Sequence, residues 1–181
     1  YFRITNSDNS TLIAAHNLNI RENLSFINLS KHFQKYNLNV PEVFYFNKEQ
    51  TIYFQEDLGD LSLFSKIQQG DRNSQTYEDE LFSFYKKALE QLADIQIDAA
   101  YDLDFKNCYP VEEFDETSML WDWNYFKYYF LKISEIHFEE DLLEKEFKTL
   151  INYLLGRNSK YFMFRDFQSR NIMIKDNETY L

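Results

Sequence analysis

The strongest constraint on this chain lies in Tyr161-Phe162-Met163-Phe164-Arg165-Asp166-Phe167-Gln168-Ser169-Arg170-Asn171-Ile172-Met173-Ile174-Lys175. An apolar run enters, a polar stretch follows, and a second apolar run leaves. That pattern predicts strand, tight loop, strand. Within the loop Asp166 precedes Asn171 by five positions, and Arg165 stands directly before Asp166. The spacing has a chemical logic. A carboxylate can orient a hydroxyl and accept its proton. A side-chain carbonyl one loop-length away can hold a metal ion that bridges phosphates. A loop pinned between two strands would keep both groups at a fixed separation.

Arg-Asp followed by Asn five positions after the aspartate is the spacing of phosphotransferase catalytic loops. Spacing alone is weak, because Asp102 and Asn107 repeat it in Tyr101-Asp102-Leu103-Asp104-Phe105-Lys106-Asn107-Cys108-Tyr109-Pro110. No strand is predicted on either side of that copy, which reads as a loop coincidence. The first copy also carries a family likeness. Phe164-Arg165-Asp166-Phe167-Gln168-Ser169-Arg170-Asn171 resembles the catalytic loop of the aminoglycoside phosphotransferase and choline kinase superfamily. Its Ser169-Arg170-Asn171 ending is most similar to the branch of predicted sugar phosphotransferases, which includes anomeric kinases of N-acetylmuramate and N-acetylglucosamine. That family usually begins the loop with histidine where this chain has Phe164, a supporting position.

Composition bounds the fold. The chain has 181 residues, 44% hydrophobic and 27% charged, which suits a packed core in one sizeable domain or two small lobes. With 3 Gly and 2 Pro, turns must lean on Asn and Asp. The net charge of −11 disfavours nucleic acid and anionic membranes as partners and suits a cationic or neutral small molecule. A single Cys108 excludes an internal disulfide and fits a reducing, cytoplasmic setting. His16, His32 and His137 are scattered and form no metal-ligand pattern. No apolar run approaches the roughly 20 residues of a membrane helix.

Residues 1–5 and 11–15 read as a hairpin around an Asn-Ser-Asp-Asn-Ser turn. A helix is predicted over 21–36, capped by Asn19, with Leu24, Ile27 and Phe33 inward. A second hairpin joins 43–46 to 51–55. Short and long helices are predicted over 61–69 and 77–97, the latter with a stripe of Leu81, Phe84, Ala88, Leu92 and Ile95. An irregular acidic and aromatic connection follows. Ser118 is the predicted cap of a helix over 119–137, and another helix runs over 139–155 to Gly156.

The resemblance implies an α+β, two-lobe, protein-kinase-like fold of the aminoglycoside phosphotransferase type. It would have a partial N-lobe over 1–55 starting at the second strand, a hinge over 56–60 and a C-lobe over 61–181. It also implies truncation at both ends, with a phosphate-covering loop before Tyr1 and a second metal-binding aspartate after Leu181. Such a fragment would have little activity alone. The implied activity is ATP- or GTP-dependent, Mg²⁺-assisted phosphoryl transfer to a hydroxyl of a small molecule, with a sugar or amino sugar as first choice. An aminoglycoside or choline-like acceptor and a non-catalytic nucleotide-binding module are the alternatives. Asp166 would be the catalytic carboxylate and Asn171 the metal ligand. Gln55, Glu56, Asp57 and Leu58 would line the nucleotide at the hinge, and Glu22 would be the helix glutamate. The third strand of such a lobe, here residues 12–16, lacks the usual lysine. Arg3 is a candidate substitute, or a solvated or acid-paired arginine. Gln168 and Arg170 could meet acceptor or phosphate, unless Arg170 forms a salt bridge within the fold. Trp121 and Tyr125 share a helix face suited to stacking on a sugar, with Asp122 displaced from it. Alternatively the two aromatics are core and Asp122 is a surface charge. The oligomeric state is left open.

Overall fold

Asparagine-rich turns fold the first strands together. β1 (Phe2–Thr5) and β2 (Thr11–His16) pair antiparallel, from Phe2 opposite Ala14 to Thr5 opposite Thr11. Asn9 takes the left-handed conformation (φ 64°), and the Asp8 carboxylate accepts from the Ser10 main chain and hydroxyl. The computed structural model describes residues 1–70, 74–157 and 161–181. They divide into two units, Tyr1–Pro110 with Tyr161–Leu181, and Val111–Lys160.

In the first unit α1 (Ile20–Gln34) begins as predicted, with Asn19 accepting from the Glu22 main-chain N–H. Asn37, at φ 57°, turns the chain away after it. β3 (Val43–Phe46) and β4 (Ile52–Glu56) form the second predicted hairpin. β4 docks on β2, so the sheet order is β1-β2-β4-β3. α1 closes one face, where Ala15, Ile27, Val43 and Tyr53 are buried with Phe26 and Phe46 against them. Ile27 and Phe33 point inward as predicted, but Leu24 is half-buried. Asn23 is buried beside it, donating to the carbonyls of Asn17 (2.8 Å) and Gln50 (2.7 Å). That paired carboxamide ties the helix to two loops without leaving a polar group unmatched.

α2 (Leu63–Gln69) starts with Ser62 and Ser65 in a reciprocal cap. α3 (Gln75–Asp94) starts at Ser74 and runs into a wider π turn over Ile95–Ala99. Gly70 is required by close approach: a Cβ there would lie 1.8 Å from the Tyr77 ring. The Tyr77 hydroxyl reaches the Lys66 and Ile67 carbonyls near the end of α2. Phe84, Ala88 and Ile95 form the buried part of the α3 stripe.

β5 (Met173–Lys175) and β6 (Glu178–Tyr180) make a separate two-stranded sheet. The other edge of β5 is taken by residues 61–63. Leu63 N–H donates to Ile172 O and Ile174 N–H to Leu61 O, both at 2.8 Å. This corrects the strand predicted over 161–164. β5 has no edge left for that run, which carries no ladder and instead buries Phe162 among Phe33, Leu38, Val40, Ile95, Ala99 and Leu103.

The second unit holds α4 (Glu116–Phe126) and α5 (Glu140–Leu155). Asp115, not the predicted Ser118, caps α4; its carboxylate accepts from both the N–H (2.8 Å) and the hydroxyl (2.9 Å) of Ser118. An acceptor one turn earlier serves both donors at once. The helix predicted to reach residue 137 passes into a π turn over Lys127–Leu131 and ends before Glu135, at φ 54°. Trp123 stacks on Phe147 at 4.9 Å, and Ile151 is buried. Lys127 is buried with its ammonium on Glu144 (2.7 Å) and Glu140 (3.2 Å). The molecule is thus mixed α+β, and among the described residues no helix is long and apolar enough to cross a membrane.

Candidate functional site

Three phenylalanines pin the loop over 161–171. Phe162 meets Phe164 edge to face at 6.4 Å, and Phe164 meets Phe167 in the same way at 5.8 Å. Phe164 packs on the core around Phe162, and Phe167 on the core of Leu63, Phe84, Ala88, Ile172 and Ile174. Arg165 and Asp166 between them stay exposed. Arg165 has φ 41°, a conformation disfavoured for a residue with a Cβ. Packing on both sides holds that strain in place.

Asn171 closes the loop. Its main-chain N–H donates to Gln168 O (2.8 Å), and its side-chain amide donates to Asp166 O (3.1 Å). The second bond joins the two predicted site residues directly. It leaves Asn171 Oδ1 with no donor among the described residues, and the Asp166 carboxylate likewise accepts no hydrogen bond from any of them. The result is an exposed carboxylate on a backbone held by Asn171, with oxygens that accept no hydrogen bond from a described residue.

The segment over 56–60 is held against this loop's exit strand. Lys175, on β5, donates to Glu56 Oε1 (2.5 Å) and to Asp57 O (3.2 Å). Arg3, on β1, clamps the same segment from the other side. Its guanidinium makes a two-bond contact with Asp57 (2.6 and 3.0 Å) and another with Asp60 (3.0 and 2.9 Å). Asp57 also accepts from Gly59 N–H (2.9 Å), and Gly59 sits at φ 80°, where a side chain would be strained. Leu58 is half-buried, and Gln55 has its Oε1 buried without a hydrogen-bond partner among the described residues. Lys175 and Asp60 were not singled out from sequence. Lys175 alternates with the buried Ile174, but nothing local names Glu56 as its partner.

The Arg3 hydrogen bonds, aided by the Gly59 N–H, hold the Asp57 carboxyl down at about 2, against the opposing cost of burial. A carboxylate depressed in the folded state stabilises the fold above its ordinary range, and that contribution is lost as pH falls from about 4 towards 2. Asp57→Asn is therefore expected to be less stable than the parent at pH 7, with a shallower loss between pH 4 and 2. Urea unfolding across that range measures both. Parallel curves for the two proteins would mean Asp57 contributes nothing through its charge.

The other candidates fall in three places. Gln168 is exposed, and Arg170 lies 4.6 Å above the Phe64 ring. Glu22 is exposed at the start of α1 and accepts from Asn17 Nδ2 (3.1 Å). Trp121, Asp122 and Tyr125 belong to the second unit. Trp121 is 74% exposed and Tyr125 stacks on Tyr129 at 4.4 Å, so the core position in α4 belongs to Trp123. The repeated spacing at Asp102 and Asn107 docks the connection onto α1: Tyr36 donates to Asp102 (2.5 Å) and Asn28 to Asn107 (2.8 Å).

Among the described residues no three His, Cys, Asp or Glu side chains gather into a metal cluster. Mg²⁺ is commonly bound through one or two carboxylates, with phosphates and water completing its shell. At this loop the described residues offer the single neutral oxygen Asn171 Oδ1 and the exposed carboxylate of Asp166. Compared with known protein families, curated proteins and solved structures, the chain matches none.

Proposed function

We propose that the first unit carries the catalytic loop of a kinase-like phosphotransferase of the aminoglycoside phosphotransferase type. It would use ATP or GTP with Mg²⁺ and phosphorylate a hydroxyl of a small molecule, a sugar or amino sugar foremost. The observation that carries this reading is the Asn171 amide bound to the Asp166 carbonyl, beside a carboxylate left open. The two-lobe reading is supported by the order of strands β1-β2-β4-β3, with α1 between β2 and β3 and the 56–60 segment directly after β4.

In this reading Asp166 orients the acceptor hydroxyl and takes its proton as that oxygen attacks the terminal phosphorus, whose bond to the bridging oxygen breaks to release ADP or GDP. The Asn171–Asp166 bond keeps the two groups in register while that happens. Asn171 Oδ1 would hold Mg²⁺, which would supply positive charge to the phosphate oxygens. Main-chain groups over 56–58 face the nucleobase, braced by Lys175. A specific observation favours a second reading, a non-catalytic nucleotide-binding module. β2 has no lysine, and the Arg3 guanidinium is already shared by Asp57 and Asp60.

A thermal-shift titration with ATP and GTP, with and without Mg²⁺, tests both readings. A ligand at 100 times its Kd raises stability by about 2.7 kcal/mol. Asn171→Ala is expected to abolish the Mg²⁺-dependent part of the shift. Asp102→Ala/Asn107→Ala is the control. It loses three hydrogen bonds, with Tyr36, Asn28 and the Asp104 carbonyl, on the order of 1 kcal/mol each, but keeps its nucleotide affinity. A Mg²⁺-dependent shift that survives Asn171→Ala would remove Asn171 from the metal site, and no nucleotide shift at all would sink both readings.

A further inference from the structure

A pocket of about 490 Å³ opens in the first unit between the end of β2, the first turns of α1, and β4. It is separate from the loop over 161–171, none of whose residues lines it. Four aromatic rings surround it, those of Tyr1, Phe26, Tyr53 and Tyr109, and Glu22 supplies its carboxylate. We propose that this pocket binds a small organic ammonium ion. The proposal goes beyond the phosphotransferase reading and does not depend on it, although the two share Glu22, which that reading takes as the helix glutamate.

The lining favours a cation. It holds Glu22 and the His16 imidazole but no Lys or Arg, and among the described residues no basic side chain forms an ion pair with Glu22. Glu22 accepts a single side-chain hydrogen bond, from Asn17 Nδ2, so lone pairs remain for a ligand. Three of the rings are held in advance, whereas Tyr1 is 85% exposed. Tyr53 is buried and stacks on Phe26 at 5.2 Å. Tyr109 accepts from Asn19 Nδ2 at 2.7 Å, the same residue that caps α1. Burial pushes the Tyr53 phenol up, so it stays neutral across the working range. Aromatic faces attract cations through their quadrupoles, and preorganised rings lose little freedom on binding. An anion would meet Glu22 and a protein of net charge −11. A bare divalent metal would find one carboxylate where it needs several oxygens. The volume lies within the range of small-molecule sites.

The test is an amide NMR titration of the chain with tetramethylammonium and propylammonium, and with tert-butanol as a neutral molecule of similar size. Both cations are expected to saturate shifts at Asn17, Glu22 and Tyr109, and tert-butanol to leave them unmoved. Glu22→Gln should weaken cation binding by about ten-fold, as removing the one charge partner of a desolvated cation does. That side chain is exposed and Gln can keep the Asn17 bond, so the variant folds. Tyr109→Leu should weaken binding with Glu22 intact. Equal response to tert-butanol, no saturable response, or unchanged affinity in Glu22→Gln would each overturn the proposal. Repeating the titration with Mg²⁺-ATP should leave the ammonium affinity unchanged. Competition would place the cation in the nucleotide site and overturn the separate pocket. Nucleotide binding without ammonium binding would end this proposal and leave the phosphotransferase reading standing, and the reverse result would do the opposite.

Discussion

In a phosphotransfer-active form of the protein, Asp166→Asn is expected to lower turnover by about 100-fold or more while the protein stays folded and keeps its nucleotide affinity. The size follows from the role. A positioned base contributes roughly 10²–10⁴ to a rate, and an amide of the same shape cannot accept the proton. Stability should hardly change, because the carboxylate is exposed and accepts no hydrogen bond from a described residue. The Asn171 contact goes to the Asp166 main chain, which the substitution leaves in place. Steady-state turnover with the preferred acceptor, beside a nucleotide titration, separates these effects. Near-parental turnover in Asp166→Asn would mean that the acceptor loses its proton without this group.

Phe162→Ala is expected to have the largest effect on stability, about 3–5 kcal/mol, the usual cost of truncating a buried phenylalanine. Phe162 is 8% exposed and touches three other rings, Phe33 (5.7 Å), Phe105 (6.3 Å) and Phe164 (6.4 Å). Its carbonyl also accepts from Gln96 Nε2 at 3.1 Å. The cavity would open at the root of the loop that carries Asp166. The variant should therefore lose both stability and the fixed Asp166–Asn171 geometry, so any nucleotide response that depends on Mg²⁺ should fall with it. Met163→Ala, at an exposed neighbour, is the comparison and should cost little. Equal urea midpoints for the two variants would show that the loop is not anchored through Phe162.

Local chemistry was legible where it acts over a few residues. Asn19 reads as a cap because a short polar acceptor precedes an apolar period, and it caps. Both early hairpins follow from strand-forming runs divided by Asn, Asp and Ser, and both form. The entry to the loop bearing Asp166 was misread for a definite reason. Tyr161, Phe162, Met163 and Phe164 alternate outward and inward as a strand would. Alternation records burial, however, and a strand also needs a free edge. Residues 61–63 occupy the edge of β5 first. The α4 cap moved from Ser118 to Asp115 because the two choices differ only in which oxygen reaches which N–H. At the candidate site, spacing singled out Asp166 and Asn171, and the Asn171 amide does bond the Asp166 carbonyl, although the entering flank is no strand. The Lys175–Glu56 pair was not, since it joins positions 119 apart in the chain.

That separation has a consequence in time. Leu63, Phe84 and Ala88 are made early, but their partners Ile172 and Ile174 come only after the whole Val111–Lys160 unit. At ribosomal speeds of about 5–20 residues per second, the 119 positions between Glu56 and Lys175 take roughly 6–24 s to synthesise. Through that interval the nascent chain shows an apolar seam awaiting β5. Non-local closure of this kind also slows refolding in the test tube. The loop bearing Asp166 is therefore among the last parts of its unit to take shape.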